Sequence, residues 1–388
     1  MVGGGRFVLG LRQSCVGHPR VAGCWPGDLR LARMGGRLPA QSSLPVPQSE
    51  FAPGALRAAD SGLGNRRPPG LLSKSVPANV LAPITASTRY CAVYGQPIRH
   101  SASPAFQNAG LAALGLDWRY LAFEVAPEAL AIAIAGAKAM RFIGLNLTVP
   151  HKLLAVSLVE HLDESARAWG AVNTIRFEAR DPQGQWRPLA QLDSLPASAE
   201  VRAHGFNTDA DAVVQALREE LGLALAGRRV VLLGAGGAGR TAALKLASEG
   251  VAELWLVNRT EAKAAALARE LGPRWPAVKV GLGYPAGPVE LVLNATSLGL
   301  RSADPLPVDE RRFSLGRAEA VFDMIYRPAQ TPLLRAAHTA GCRTANGLGM
   351  LLYQGARALE LWTGQPAPLA VMRHALIEQV YGAPAALA

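Results

Sequence analysis

From Arg89 onward, short apolar runs alternate with alanine-rich stretches of helical period, and that alternation predicts an α/β protein. Residues 90–94 read as a strand and 95–101 as a loop containing Pro97. A helix follows over 105–114, with Ser103 as its N-cap and Pro104 at its first position. The period then changes in turn to strand (118–125), helix (127–139), strand (142–147), helix (150–162) and strand (171–177). Such βα repeats imply a mostly parallel sheet with helices on its faces. Residues 181–204, with Pro182, Gly184, Pro188 and Pro196, carry no assignable period and read as an excursion between two strands.

Asn207-Thr208-Asp209 opens a clean amphipathic helix, with Asp209 suited to the N-cap. Val213, Val214, Leu217 and Leu221 share one face, Arg218, Glu219 and Glu220 face water, and Gly222 stops it. A near-continuous apolar strand, 229–233, runs into a glycine turn and a helix over 242–248. Strand 253–257, helix 261–271 and strands 289–294 and 320–324 come next, then a helix capped by Thr331-Pro332. A short strand at 342–345, a turn at Asn346-Gly347 and helices over 348–362 and 369–381 finish the chain. Two α/β domains are expected, one over 89–206 and one over 207–346.

Composition supports a well-cored globular protein, with 49% hydrophobic and 18% charged residues in 388. The net charge of +11 suggests a nucleic-acid partner only until it is located. Residues 1–88 hold 10 Lys/Arg against 3 Asp/Glu, while the rest holds 30 against 26. The body is therefore nearly balanced, and neither a nucleic-acid surface nor a membrane partner is expected. Rich in Gly, Pro, Arg and Ser, residues 1–88 read as a disordered leader, an over-extended start or an Arg-rich transit segment. Cys15, Cys24, Cys91 and Cys342 form no C-x-x-C and no metal-ligand spacing, so free thiols in a cytoplasmic protein and no metal are expected.

Candidate chemistry sits at strand ends. Gly234, Gly236 and Gly239 have G-x-G-x-x-G spacing between a strand and a helix, the context of a dinucleotide-binding turn. The helix N-terminus behind them offers free N–H groups to a pyrophosphate. NAD, NADP and FAD sites all share this turn. Downstream, 257–260 reads Val-Asn-Arg-Thr, without the acid that would bind an NAD ribose 2′-hydroxyl. Arg259 and, one turn on, Lys263 suit a 2′-phosphate, so NADP is favoured. In the first half, Lys152 falls in a helical first turn, where the macrodipole disfavours a cation. Asn146, Thr148, Asn173, Thr174 and Asn207 to Asp209 lie at neighbouring strand ends, where an open α/β sheet binds ligands.

These residues form a recognisable set. YCAVYGQPIRHSASP (90–104), GLNLTVPHK (144–152), GAVNT (170–174), NTD (207–209), GAGGAGR (234–240), NRT (258–260), NATSLG (294–299), DMIY (323–326) and NGLGM (346–350) together resemble shikimate dehydrogenase over 89–388. The resemblance implies reversible NADPH-dependent reduction of 3-dehydroshikimate to shikimate in aromatic amino acid (chorismate) biosynthesis. It implies a substrate-binding domain over 89–206, completed by 347–388, and a Rossmann NADP-binding domain over 207–346, with the active-site cleft between them. It also implies that Lys152 and Asp209 pair at the reacting hydroxyl, with Ser101, Ser103 and Tyr326 on the substrate carboxylate and Thr148, Asn173 and Gln354 on the ring substituents. The implied cofactor contacts are Gly234, Ala235, Gly236, Gly237, Ala238 and Gly239, then Asn258, Arg259, Thr260 and Lys263, with Glu164, Met324 and Gly347 completing the set. A quinate/shikimate dehydrogenase using NAD and a catalytically silent shikimate-binding regulator are the alternatives, and monomer and homodimer both stay open. Ala102, His151, Ala210 and Lys263 depart from residues frequent in the family, and the excursion before His204 is longer than expected.

Overall fold

A computed structural model describes residues 83–382 apart from 193, 195, 197 and 302, so nearly all of the N-terminal extension lies outside the described residues. The first half is built from β1 (Arg89–Gly95), α1 (Ser103–Ala113), β2 (Trp118–Glu124), α2 (Leu130–Ala139), β3 (Gly144–Leu147) and α3 (His151–Leu154). Then come β4 (His161–Leu162), α4 (Glu164–Trp169), β5 (Thr174–Arg180), β6 (Trp186–Pro188) and β7 (Val201–Phe206). The strands order β2-β1-β3-β5-β7-β4, with β6 paired to β5. Contrary to the mostly parallel expectation, this sheet is mixed: β5 runs antiparallel to β3, β6 and β7. The unassigned 181–204 stretch makes the β6 and β7 pairings, while β5 already meets β3 antiparallel after the chain reverses through α3, β4 and α4. That stretch forms a meander, turned at Asp181, whose carboxylate accepts the Gln183 and Gln185 amides at 3.0 and 2.8 Å. Beyond β6 the chain returns along β5 as β7, antiparallel to it.

The helix expected over 150–162 is only the four residues of α3 and a 3₁₀ turn, Ala155–Ser157. His161 and Leu162 pair with β7 instead, and the free edge of that strand ends the helix.

The second half begins with α5 (Asp209–Leu221) and runs through β8 (Arg229–Leu233), α6 (Gly237–Ser248), β9 (Glu253–Val257), α7 (Glu261–Arg274), β10 (Lys279–Leu282), β11 (Val289–Asn294) and β12 (Ala318–Asp323). It closes with α8 (Pro332–Thr339) and β13 (Arg343–Asn346), before α9 (Leu348–Thr363) and α10 (Leu369–Tyr381) return toward the first sheet. Its six strands order β10-β9-β8-β11-β12-β13, all parallel. This is a doubly wound sheet whose order reverses between β8 and β11, the crevice where such sheets bind nucleotides. β10, a half-exposed edge strand, carries too weak an apolar signal to have been anticipated.

Helices α5 and α9 pack on each other between the sheets, with Val213, Leu217, Leu352 and Leu359 all buried. Gly144 admits α9 to the first sheet: a Cβ there would lie 2.1 Å from Trp362 Nε1, which donates to the Ile175 carbonyl at 2.9 Å. No helix among the described residues is long and apolar enough to cross a membrane.

Candidate active site

Two adjoining cavities lie in the cleft between the sheets, of about 320 and 290 Å³. Lys152, Asp209, Ala238, Met324 and Met350 line both. Lys152 Nζ donates to Asp209 Oδ2 at 2.7 Å, with the lysine side chain 33% and the aspartate 11% exposed. The pair thus stands on the shared wall, screened from water on the aspartate side and reachable on the lysine side.

Local structure explains why both groups are available. Pro150 takes the N-cap position of α3 with no side-chain cap, and four residues of helix make little macrodipole, so the ion pair places Lys152 rather than opposing a dipole. His151, fully buried, holds the short helix by its Nε2, 2.8 Å from the Val125 carbonyl. Burial lowers the pKa of His151, and the bond to Val125 offsets this only in part.

Asp209 does not cap α5 with its side chain, as had been expected. Asn207 does so, its Oδ1 accepting from the Asp209 and Ala210 amides at 3.1 and 3.2 Å. The Asp209 carboxylate is freed by that substitution of roles, and it sits at a helix N-terminus, where a negative charge is favoured. Ser103 likewise falls inside α1 rather than before it, and its N–H donates to Ser101 Oγ at 3.3 Å.

The larger cavity is the more polar. Ser101, Ser103, Thr148, Tyr326 and Gln354 line it together with Lys152 and Asp209. Burial raises the pKa of Tyr326, keeping its hydroxyl a donor. Asn173 is absent from the lining. It is 1% exposed, its Nδ2 donates to Thr208 Oγ1 at 2.9 Å, and its Oδ1 accepts the Thr208 amide at 2.8 Å. Its amide joins the start of β5 to the entry of α5. Asn146, noted only as a strand-end residue, does line the cavity, accepting from Tyr120 Oη at 2.7 Å and donating to Thr174 Oγ1 at 3.0 Å. His100 and the apolar Val93, Ile98 and Leu351 were missed; nothing in their spacing distinguishes them from core or loop residues.

The smaller cavity is apolar, walled by Val149, Pro150, Val213 and Ala242, and reaches Gly237, Ala238 and the unanticipated Thr241 of α6. The glycine turn fits a dinucleotide. Gly234 has φ +106°, and a Cβ on Gly239 would lie 2.1 Å from the Gly234 carbonyl oxygen, so only glycine lets α6 start this close to β8. Gly236 is the N-cap of α6 with no capping side chain, and a Cβ on Gly236 or Gly237 would meet nothing within 4 Å. Free amides therefore face open space where a pyrophosphate can lie. Asn258 Oδ1 accepts the Ala235 amide at 2.9 Å, fixing the turn against the end of β9. Arg259, Thr260 and Lys263 are exposed beside it. Met324 and Gly347 close the cleft from the other strands, in contact tight enough that a Cβ on Gly347 would lie 2.0 Å from the Met324 carbonyl oxygen. Glu164 is exposed in the first turn of α4 and lines neither cavity. Asn294 of NATSLG and Asp323 of DMIY serve structure: Asp323, fully buried, accepts from Asn294 Nδ2 at 2.9 Å and Thr331 Oγ1 at 2.7 Å.

Known proteins share this arrangement. A family model described as shikimate dehydrogenase substrate binding domain matches residues 93–175. Models for shikimate / quinate 5-dehydrogenase and for the shikimate 5′-dehydrogenase C-terminal domain match 216–280 and 347–377. A shikimate dehydrogenase (NADP(+)) of Moorella thermoacetica is 42% identical over 316 residues, 78% of this chain and 98% of that protein. One of Methanopyrus kandleri is 37% identical over 309 residues, 78% of this chain and 99% of that protein. A solved shikimate 5-dehydrogenase of Thermus thermophilus, in complex with NADP(H) and shikimate, superimposes with a TM-score of 0.61 at 34% identity, covering 75% of this chain and 99% of that one.

Proposed function

The chain belongs to the shikimate dehydrogenase family, and from that premise we propose how its cleft performs the reaction. The activity is the NADP-dependent interconversion of 3-dehydroshikimate and shikimate in aromatic biosynthesis. The 2.7 Å Lys152–Asp209 pair, standing between a polar and an apolar cavity, carries the reading.

The polar cavity, in the first sheet with its returning α9, takes the substrate. Ser101, Ser103 and Tyr326 present hydroxyls that suit a carboxylate, while Thr148 and Gln354 face the ring hydroxyls. A site of fixed donors and acceptors discriminates strongly for a polyol, because an analogue lacking a hydroxyl leaves buried groups unpaired. The apolar cavity and the glycine turn of the second sheet take the cofactor, with its phosphates on the amides at the start of α6 and its 2′-phosphate beside Arg259 and Lys263. When bound, NADP(H) supplies or accepts the two electrons and the hydrogen exchanged at the substrate carbon. In reduction, negative charge grows on the former carbonyl oxygen, and Lys152 stabilises it and donates a proton from Nζ. Asp209, 2.7 Å from Nζ, aims Lys152 at that oxygen. In oxidation the pair takes the hydroxyl proton back. Asn173 contributes by fixing Thr208, and with it the start of α5. The buried free thiols Cys91 and Cys342 favour a reducing compartment, the cytoplasm.

The test is reduction of NADP+ with shikimate, run beside NAD+ and quinate. We expect turnover with NADP+ and shikimate to exceed every other pairing. A preference for NAD+ with quinate would move the protein to the quinate branch, and tight shikimate binding without turnover would make it a silent binder.

A further inference from the structure

A third cavity, of about 180 Å³, opens where β9 and β10 end and shares no lining residue with the two cleft cavities. Asn258, Glu261, Leu282 and Gly283 form its walls, and so does Arg312, from a segment far downstream that carries no cofactor motif. Arg312 is held in place from below. It lies on a turn between the buried anchors Val308 and Phe313, 5% and 0% exposed. The Asp309 carbonyl accepts the Arg312 and Phe313 amides at 3.0 and 2.9 Å, and the Asp309 amide donates to Tyr284 Oη at 2.9 Å. Tyr284 in turn stacks on Phe313 at 5.6 Å, and the Arg312 guanidinium sits 5.7 Å from the Tyr284 ring centroid. Yet among the described residues no hydrogen bond or salt bridge engages the guanidinium. Its backbone is fixed and its charge is unspent.

We propose that Arg312 is a specificity-determining residue for the cofactor, joining Arg259 and Lys263 around the adenosine 2′-phosphate. This rests on the reading that the Asn258-Arg259-Thr260 turn receives the adenosine ribose; Asn258 lines the same cavity as Arg312. The chemistry fits a phosphate monoester. A guanidinium meets phosphate oxygens with two parallel N–H donors, and a turn already anchored on both sides loses little freedom on binding. A third cation also offsets Glu261, the acid in the cavity wall, which would otherwise repel a dianion. The site is open to solvent, so the effect is moderate and falls with salt.

The test compares wild type, Arg312→Ala and Arg312→Lys by calorimetric titration with 2′,5′-ADP, 5′-AMP, NADP+ and NAD+. Neither variant touches the core, and unchanged melting temperatures without ligand confirm the fold. Arg312→Ala weakens 2′,5′-ADP and NADP+ by roughly tenfold and leaves 5′-AMP and NAD+ within about twofold. Arg312→Lys falls between, and the salt dependence of NADP+ binding becomes shallower in Arg312→Ala. Wild type that prefers 2′,5′-ADP over 5′-AMP, with Arg312→Ala preferring it equally, overturns the role of Arg312 alone. Wild type with no such preference overturns the adenosine-site reading, and this inference with it.

Discussion

Lys152 follows the third strand of the first sheet and Asp209 its last, and each is available because a neighbour does the local structural work. His151 ties α3 to the Val125 carbonyl and Asn207 caps α5, so neither the ammonium nor the carboxylate is needed to hold its own backbone. Replacing Lys152 with Ala is expected to lower kcat by ~10²–10⁴ with a smaller change in KM, because the proton donor is felt mainly in the transition state. Steady-state kinetics with an unchanged melting temperature checks this; a near-normal kcat would remove Lys152 from the mechanism. Asn207→Ala separates support from chemistry. Losing the cap costs about 1 kcal/mol of stability, read as a lowered urea midpoint, and kcat falls because the Asp209 carboxylate is no longer fixed. A lowered midpoint with unaltered kcat would show that the cap does not position the pair. Lys152 and Asp209 were legible in the sequence through motif spacing. The division of labour around them was not, since Asn207, Thr208 and Asp209 are all good capping residues and only the hydrogen bonds decide which one caps. The same holds for Asn173, whose amide could face a ligand or the backbone.

At the scale of elements, the doubly wound sheet was readable almost strand by strand, because β8 and β11 are buried apolar runs, β9 alternates buried with half-buried positions, and helices lie between them. The β5–β7 meander was not. Strands β5 and β7 keep the two-residue spacing but fill one face with charge: Glu178, 2% exposed, accepts from Arg176 Nε at 3.0 Å, Arg202 Nε at 2.8 Å and His204 Nδ1 at 2.9 Å. Trp186 of β6 covers this cluster, lying 4.3 Å from the Arg202 guanidinium. Alternation within β5 and β7 is masked by these charges, so residues 181–204 looked irregular. Burial alone would raise the Glu178 pKa, but the bonds from His204, Arg176 and Arg202 outweigh it and hold the carboxyl at about 2, below its ordinary 4.5. With the folded value depressed, Glu178 stabilises the fold fully above the ordinary pKa, and the contribution is lost as pH falls through 4.5 toward 2. Glu178→Gln is expected to cost about 1–3 kcal/mol at pH 7, since it leaves two half-buried arginines without a counter-charge. Urea midpoints at pH 7 and pH 3 should show the gap between wild type and variant narrowing in acid. A gap independent of pH would place the cost in packing rather than charge.

For the whole molecule, the two sheets are joined by more than the α5–α9 contact. Arg240, the last residue of the glycine motif, turns away from the cofactor turn: its Nη1 donates to the Trp169 carbonyl at 2.6 Å and its Nε to Glu270 at 2.9 Å. Arg274 adds a bond to the Ala168 carbonyl at 3.0 Å, so α6 and α7 of the second sheet grip the end of α4 in the first. Every residue of the cleft lies between Val93 and Gln354, and the buried core starts at Cys91. Among the described residues, the first side-chain tie to the body of the fold is Thr88, whose Oγ1 donates to the Asp117 carboxylate at 3.0 Å and accepts the Thr85 amide at 2.9 Å. Arg89 follows, donating to the Leu189 carbonyl at 2.6 Å. Chains beginning at Thr85 should therefore match the full-length protein in melting temperature and in kcat/KM for shikimate and NADP+. Chains beginning at Tyr90 lose both ties, leave the Asp117 carboxylate without Thr88, and should melt lower by several degrees, because about 1–3 kcal/mol shifts the midpoint of a chain this size by that order. Equal loss in both truncations would mean that residues before Thr85 support the catalytic body; no loss in either would mean that β1 is held by its strand pairing and core packing alone.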